Sequence, residues 1–255
     1  MQKRLQRHPA LWYFGLTMVA SLLLLIPHLQ FGVILTPSFS LTQFGPTVGL
    51  LLFSFFLGSS APLRDAFTRF RIRKLLSWGI IAVLTTGVIL FLCGELLSLW
   101  GLPFTSWGGK IGFYSMEGLA MMICCAGEEI GWRGFLLPEL CKSRSLFVSS
   151  LIVGLFWGVW HLNFTGGLFG FLLFIVSIMM NSVFIAWLFQ KSGGNLFVAI
   201  VEHFSFNLFS HLFLWNRFSI KGYVVEIIFY GILDLTLACF DRKLFFTCPQ
   251  KQSKI

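Results

Sequence analysis

Residues 118–137 read GLAMMICCAGEEIGWRGFLL, an apolar stretch of bilayer-spanning length that contains Glu128, Glu129 and Arg133. An ionisable side chain at membrane depth costs about 2.5–3.5 kcal/mol or more. Three such residues so close together need partners inside the protein, and they usually mark a functional site. The stretch therefore predicts a membrane helix that carries chemistry.

The composition extends this prediction to the whole chain. Of its 255 residues, 56% are hydrophobic and only 11% are charged, whereas a soluble domain carries about 25% charged residues. We predict an all-α, polytopic transmembrane bundle that forms one integral membrane domain over residues 1–255. The basic segment Met1 to His8 precedes an apolar run without a clear cleavage pattern, so the first span should remain uncleaved. The chain is expected to contact membrane lipid.

A span needs about 20 apolar residues, and on this basis the chain is predicted to cross the membrane about eight times. The predicted spans are 10–30, 43–62, 76–100, 113–140, 146–163, 168–190, 195–214 and 223–240. The net charge of +9 comes from Lys and Arg at the span ends, which argues against a nucleic-acid partner. Most of these residues fall on one side, so both termini should be cytoplasmic. A seven-span chain remains an alternative, and the small extramembrane part suits a bacterial plasma membrane.

The two adjacent carboxylates should have different tasks. Neighbouring side chains diverge by about 100° around a helix, whereas Glu129 and Arg133 are spaced i, i+4 and can form an ion pair. Glu128 then faces elsewhere and is the better candidate for a general base. Gly127, Gly131 and Gly134 would let a neighbouring helix or a substrate backbone approach closely.

Three further polar residues lie at similar depth on other predicted spans. At about 1.5 Å per residue, Glu128 and Asn207 lie roughly 18 Å from the predicted cytoplasmic ends of their spans, His203 roughly 12 Å and His161 roughly 22 Å. His203 and Asn207 share one helix face and both offer hydrogen-bond donors, as an oxyanion hole requires. Neither Asp234 nor His211, which lies one turn beyond Asn207, has an evident role in the sequence.

These residues match three motifs of one family. The chain resembles the CPBP family of CAAX-processing and bacteriocin-processing intramembrane proteases, also called Abi. The family carries Glu-Glu-x-x-x-Arg, Phe-x-x-x-His and His-x-x-x-Asn/Asp on successive helices. Here they are Glu128 to Arg133, Trp157 to His161 and His203 to Asn207. The resemblance covers roughly residues 113–210, so we expect the catalytic core within 113–214. Trp157 replaces the family's Phe, a departure expected to affect packing near His161 rather than the chemistry.

The resemblance implies an endopeptidase that cleaves a membrane-associated or prenylated substrate. Glu128 would activate water, His161 would help to hold it, and His203 with Asn207 would stabilise the oxyanion. Glu129 and Arg133 would shape the site or meet the substrate. Family members are commonly described as metalloproteases, so Glu128, His161 and His203 are the candidate ligands for a divalent metal such as zinc, with a metal-free site as the alternative.

Two other functions stay open at this point. Buried Glu and His residues also form proton relays, so a proton-coupled transporter is one rival. A non-catalytic membrane protein, such as a bacteriocin-immunity or scaffold protein, is the other. None of the three motifs has lost a residue with a proposed chemical role, which favours the peptidase.

Overall fold

The computed structural model describes residues 2–31, 39–102, 111–213 and 219–247, and these form helices joined by loops, with no strand among them. The helices are α1 (Gln2–Arg7), α2 (Pro9–Phe31), α3 (Gly45–Leu57), α4 (Ala61–Phe67), α5 (Leu75–Leu99), α6 (Ile111–Gly131), α7 (Leu137–Cys141), α8 (Leu146–Trp160), α9 (Gly167–Lys191), α10 (Leu196–Phe213), α11 (Ile220–Phe240) and α12 (Arg242–Phe246). A 3₁₀ turn, Leu41–Phe44, precedes α3, and a π-helical turn, Trp132–Leu136, joins α6 to α7.

The predicted helical membrane bundle is confirmed. Within the part of the chain that the structure describes, five helices are long and apolar enough to cross a membrane: Pro9–Pro27 within α2, α5, α9, α10 and α11. Two shorter apolar segments, Leu41–Leu57 and Leu146–Trp160, correspond to the second and fifth predicted spans. The fourth predicted span, 113–140, is not one regular helix, because the π-helical turn divides it. The exact number of crossings and the orientation of the chain stay predictions.

Loops that were predicted to share one side of the membrane contact each other at one end of the bundle. The backbone N–H of Leu196 donates to the carbonyl of Arg69 over 2.9 Å, and the Asn195 amide donates to the carbonyl of Arg73 over 3.0 Å. Residues assigned to the opposite side also meet, since Lys221 donates to the carbonyl of Trp100 over 3.1 Å. The contacts therefore agree with the predicted grouping of the loops.

Glycines of α6 allow the 3₁₀ turn and the start of α3 to pack closely against that helix. A Cβ at Gly131 would lie 2.7 Å from the backbone carbon of Pro46, and one at Gly127 would lie 3.3 Å from the carbonyl oxygen of Gln43. The hydroxyl of Thr47 donates to the Gly127 carbonyl over 2.5 Å. The close neighbour at Gly127 and Gly131 is thus another helical segment of the chain. This packing places Gln43 beside Glu128.

Candidate active site

Glu128 lies near the end of α6 with 1% of its surface exposed, and neutral donors hold both of its oxygens. Its Oε1 accepts from the Gln43 side-chain amide over 3.2 Å. Its Oε2 accepts from the indole Nε1 of Trp157 over 2.8 Å. A buried carboxylate needs such partners, and these two satisfy it without adding a positive charge.

Gln43 was not recognised from the sequence as a site residue. Its own amide is oriented by the turn that carries it, because the backbone N–H of Ser40 donates to Gln43 Oε1 over 3.1 Å. The side chain of Ser40 in turn accepts from the backbone of this turn, which completes a capping box. The spacing Ser-x-x-Gln is a recognisable start signal for a helical turn. It predicts the turn, however, and not the contact with Glu128.

Glu129 has a different environment, although it is the next residue. It is fully buried, and its Oε1 accepts from both Arg133 and His203, the latter through Nδ1 over 3.0 Å. The predicted ion pair between Glu129 and Arg133 is confirmed. Arg133 lies within the π-helical turn, and its guanidinium also donates to the hydroxyl of Ser182 over 3.2 Å. Such turns are often found at functional sites.

Trp157 touches several of the predicted site residues. Besides its bond to Glu128, its ring lies 4.5 Å below the Arg133 guanidinium and packs edge-on against His203 at a centroid distance of 4.8 Å. Its backbone carbonyl lies 2.8 Å from Nδ1 of His161. The expectation that Trp in place of Phe affects only packing near His161 was therefore too narrow, since the indole binds the candidate base directly.

A cavity of about 390 Å³ opens in front of Glu128 and His161. Gln43, Thr42 and Ser21 add polar groups to its lining, and the α2 residues Met18, Leu22 and Leu25 line it with apolar surface. The cavity thus joins a carboxylate and an imidazole to an apolar wall. This is an arrangement that suits a ligand with one apolar part and one polar part.

His203 and Asn207 lie behind this cavity surface and are not among the side chains that line it. His203 is buried against Glu129, and the Asn207 amide lies 3.4 Å from the sulfur of Cys125. The structure therefore joins Glu128 with His161, and Glu129 with Arg133 and His203, as two adjoining groups. Trp157 is the residue that contacts both.

The predicted metal ligands are divided between these two groups. Glu128 and His161 face the cavity, whereas His203 is bound through Nδ1 to Glu129. Among the described residues, no three His, Cys, Asp or Glu side chains are placed to hold one metal ion. Zinc sites in proteins use about three protein ligands, and the described residues do not bring the three predicted ligands into one such group.

A third polar group forms around Glu202 of α10, and it was not predicted from the sequence. Glu202 is fully buried, and its Oε1 accepts from Thr86 over 3.3 Å and from Asn181 over 3.1 Å. Asp234 is also buried, and neither of its oxygens accepts a hydrogen bond from any residue that the structure describes. His211 is exposed. No function for Asp234 or His211 follows from these positions.

Comparison with known proteins agrees with the motifs. Residues 111–209 match the family model described as type II CAAX prenyl endopeptidase Rce1-like. CAAX prenyl protease 2 of Methanococcus maripaludis is 26% identical over an alignment of 202 residues, and the match covers 69% of this chain and 72% of that protein. The matched region contains Glu128, Glu129, Arg133, Trp157, His161, His203 and Asn207.

Proposed function

We propose that the chain, whose residues 111–209 match the Rce1-like CAAX prenyl endopeptidase model and which is similar to a CAAX prenyl protease, is a membrane-embedded endopeptidase in which Glu128 activates water. The observation that carries this proposal is that Glu128 and His161 line the same cavity. A general base must lie within hydrogen-bond reach of the proton that it removes, and the cavity volume of about 390 Å³ lies in the range of ligand-binding pockets.

The tautomer of His161 follows from its contact with Trp157. A carbonyl oxygen can only accept, so Nδ1 of His161 carries the proton and donates to it. In the neutral ring, Nε2 is then an acceptor. One water can thus give one hydrogen bond to His161 and the other to Glu128, and this directs an oxygen lone pair toward the substrate.

The proposed reaction needs no metal in its steps. Glu128 takes a proton from the water as the oxygen–carbon bond to the peptide carbonyl forms. The carbon–nitrogen bond of the resulting tetrahedral intermediate then breaks, and Glu128 returns the proton to the leaving amine. General bases of this kind contribute about 10²–10⁴-fold to the rate.

His203 and Asn207 remain the proposed oxyanion donors, with one chemical condition. A His203 that donates from Nδ1 to Glu129 can donate from Nε2 only as the imidazolium. The carboxylate of Glu129 can balance that charge, although it also pairs with Arg133. Both donors would have to reach the cavity from their position behind it, as substrate closes the site.

The substrate class is proposed from the cavity wall and the relative. The apolar face of α2 that lines the cavity suits an acyl or prenyl chain beside the scissile peptide. The Methanococcus maripaludis relative is named for prenylated CAAX proteins. We propose a membrane-associated substrate, prenylated at or near the cleaved segment, and a bacterial plasma membrane as the location.

The test is cleavage by purified protein in liposomes. A panel would contain C-terminally prenylated peptides, the same peptides without the prenyl group, and membrane-anchored peptides. The wild type would be compared with Glu128→Gln, and with Glu139→Gln as control, because Glu139 lies on α7 and pairs with Lys142 outside the cavity.

We expect cleavage of the prenylated peptides that Glu128→Gln lowers by about 10²–10⁴-fold and Glu139→Gln retains. Equal cleavage by wild type and Glu128→Gln would refute the proposed base. A chelator arm tests the metal-free route, because loss of cleavage that added zinc restores would contradict it. Binding of a partner protein without any cleavage would favour the non-catalytic alternative.

A further inference from the structure

We propose that Trp157 is a positioning residue that fixes the carboxylate of Glu128 through its indole N–H. The inference rests on the proposed role of Glu128 as the base. It concerns a feature of this chain, because the family motif has Phe at this position and a phenyl ring has no hydrogen-bond donor.

The geometry of the carboxylate supports this role. Glu128 accepts one bond at each oxygen, from Gln43 at Oε1 and from Trp157 at Oε2. Two donors on different oxygens fix the plane of the carboxylate, whereas a single donor leaves it free to turn about its last torsion. The indole bond is the shorter of the two, and Trp157 is 1% exposed, so water cannot easily replace it.

The backbone and ring of Trp157 also contact other residues of the site. The carbonyl of Trp157 orients His161, and its ring packs on Arg133 and His203. A Phe could keep the backbone bond and much of the ring packing. The N–H bond to Glu128 is the contribution that only Trp makes, and it is therefore the part to test.

The main test replaces the indole N–H and leaves the packing in place. Trp157→Phe removes the donor, and 3-benzothienylalanine at position 157 replaces N–H by sulfur in a ring system of nearly the same shape. The matched control is Trp187→Phe, because Trp187 also donates to a carboxylate, Asp241, over 2.7 Å but does not line the cavity.

We expect both changes at Trp157 to lower kcat about 10- to 100-fold, with KM within about twofold of the wild-type value. Trp187→Phe should leave both constants near wild type. The benzothienylalanine variant covers the case in which Trp157→Phe does not fold. Full activity of that variant would overturn the proposal.

A second measurement does not depend on catalysis. In detergent micelles, the indole ¹⁵N–¹H resonance of Trp157 is identified by its absence in Trp157→Phe. It should shift and exchange faster with solvent in Glu128→Ala, while the Trp187 resonance stays in place. An unchanged Trp157 resonance would overturn the proposal even if the protein cleaves peptides. A changed resonance in a protein that cleaves nothing would leave the fixed carboxylate in place and refute only the proposed activity.

Discussion

Glu128 and Glu129 are adjacent residues of the same type, yet the fold gives them opposite environments. Glu128 receives two neutral donors and lines the cavity, whereas Glu129 receives two groups that can carry positive charge and is not among the residues that line it. The difference arises from the rotation of about 100° per residue in a helix. Glu128 is thus held by neutral donors and Glu129 by groups that can balance its charge, which is why Glu128 is the one proposed as the base.

The two residues should differ most strongly in their contribution to peptide cleavage. Glu128→Gln should lower peptide cleavage by about 10²–10⁴-fold, because the proton acceptor is lost. The folded protein should be little affected, since the glutamine oxygen can still accept from Trp157 or Gln43. Single-turnover cleavage rates and thermal unfolding in detergent measure the two effects. A large loss of stability with a small loss of rate would assign Glu128 a structural role instead.

Glu129, unlike Glu128, should contribute mainly to the stability of the fold. Glu129→Gln leaves Arg133 buried without its anionic partner, and breaking a buried pair in this way costs about 3–5 kcal/mol. The free energy of unfolding in mixed detergent micelles measures this loss. Asp65→Asn is the control, because it breaks an exposed ion pair with Arg64 and such pairs are worth about 0–1 kcal/mol. Equal stability of the two variants would contradict the comparison.

A smaller effect should follow from the second donor of Glu128. Gln43→Leu removes one neutral hydrogen bond worth about 0.5–1.5 kcal/mol, which corresponds to a several-fold loss of kcat/KM if the bond acts in the transition state. Gln43→Glu should lower the rate further, because it places a second carboxylate beside Glu128. Steady-state kinetics on one prenylated peptide test both variants. A rate for Gln43→Glu at or above that of Gln43→Leu would argue against the contact with Glu128.

Much of the architecture could be predicted from the sequence, because hydrophobic length and charge position are local signals. The same holds for the ion pair of Glu129 with Arg133, which depends only on i, i+4 spacing. The contact of Gln43 with Glu128 joins residues that are 85 positions apart, and it depends on how closely Gly127 lets a neighbour approach. The bond from Trp157 to Glu128 was not predicted, because the motif position indicates packing and does not specify the direction of the indole N–H.

Depth alone was also an incomplete guide. Four polar residues lie at similar predicted depth, but only Glu128 and His161 line the cavity, whereas His203 is bound to Glu129 and Asn207 lies beside Cys125. Depth along a helix fixes height but not the face that a side chain occupies. The face depends on helix packing, which the sequence pattern does not specify.

A weaker effect is expected at Asp241, a third carboxylate that has one neutral donor and one cationic partner at the end of the bundle. Asp241 accepts from the indole of Trp187 and from the ammonium of Lys191. The Trp187 bond lowers the pKa of Asp241, partial burial opposes this, and Lys191 adds to the lowering. Because the folded pKa lies below the unfolded value, Asp241 stabilises the fold above the unfolded pKa of about 3.9. This contribution is lost as the pH falls through the folded pKa.

Thermal unfolding as a function of pH tests this sign. Asp241→Asn should unfold at a slightly lower temperature than wild type at pH 7, because a partly exposed pair contributes about 0–1 kcal/mol. The gap should narrow as the pH falls below about 4 and should close in stronger acid. A gap that widens toward acid pH would mean that the neutral form of Asp241 is the one the fold prefers. In that case its partners would act as those of Glu128 do, by orienting a carboxyl group, and not as those of Glu129 do, by balancing its charge.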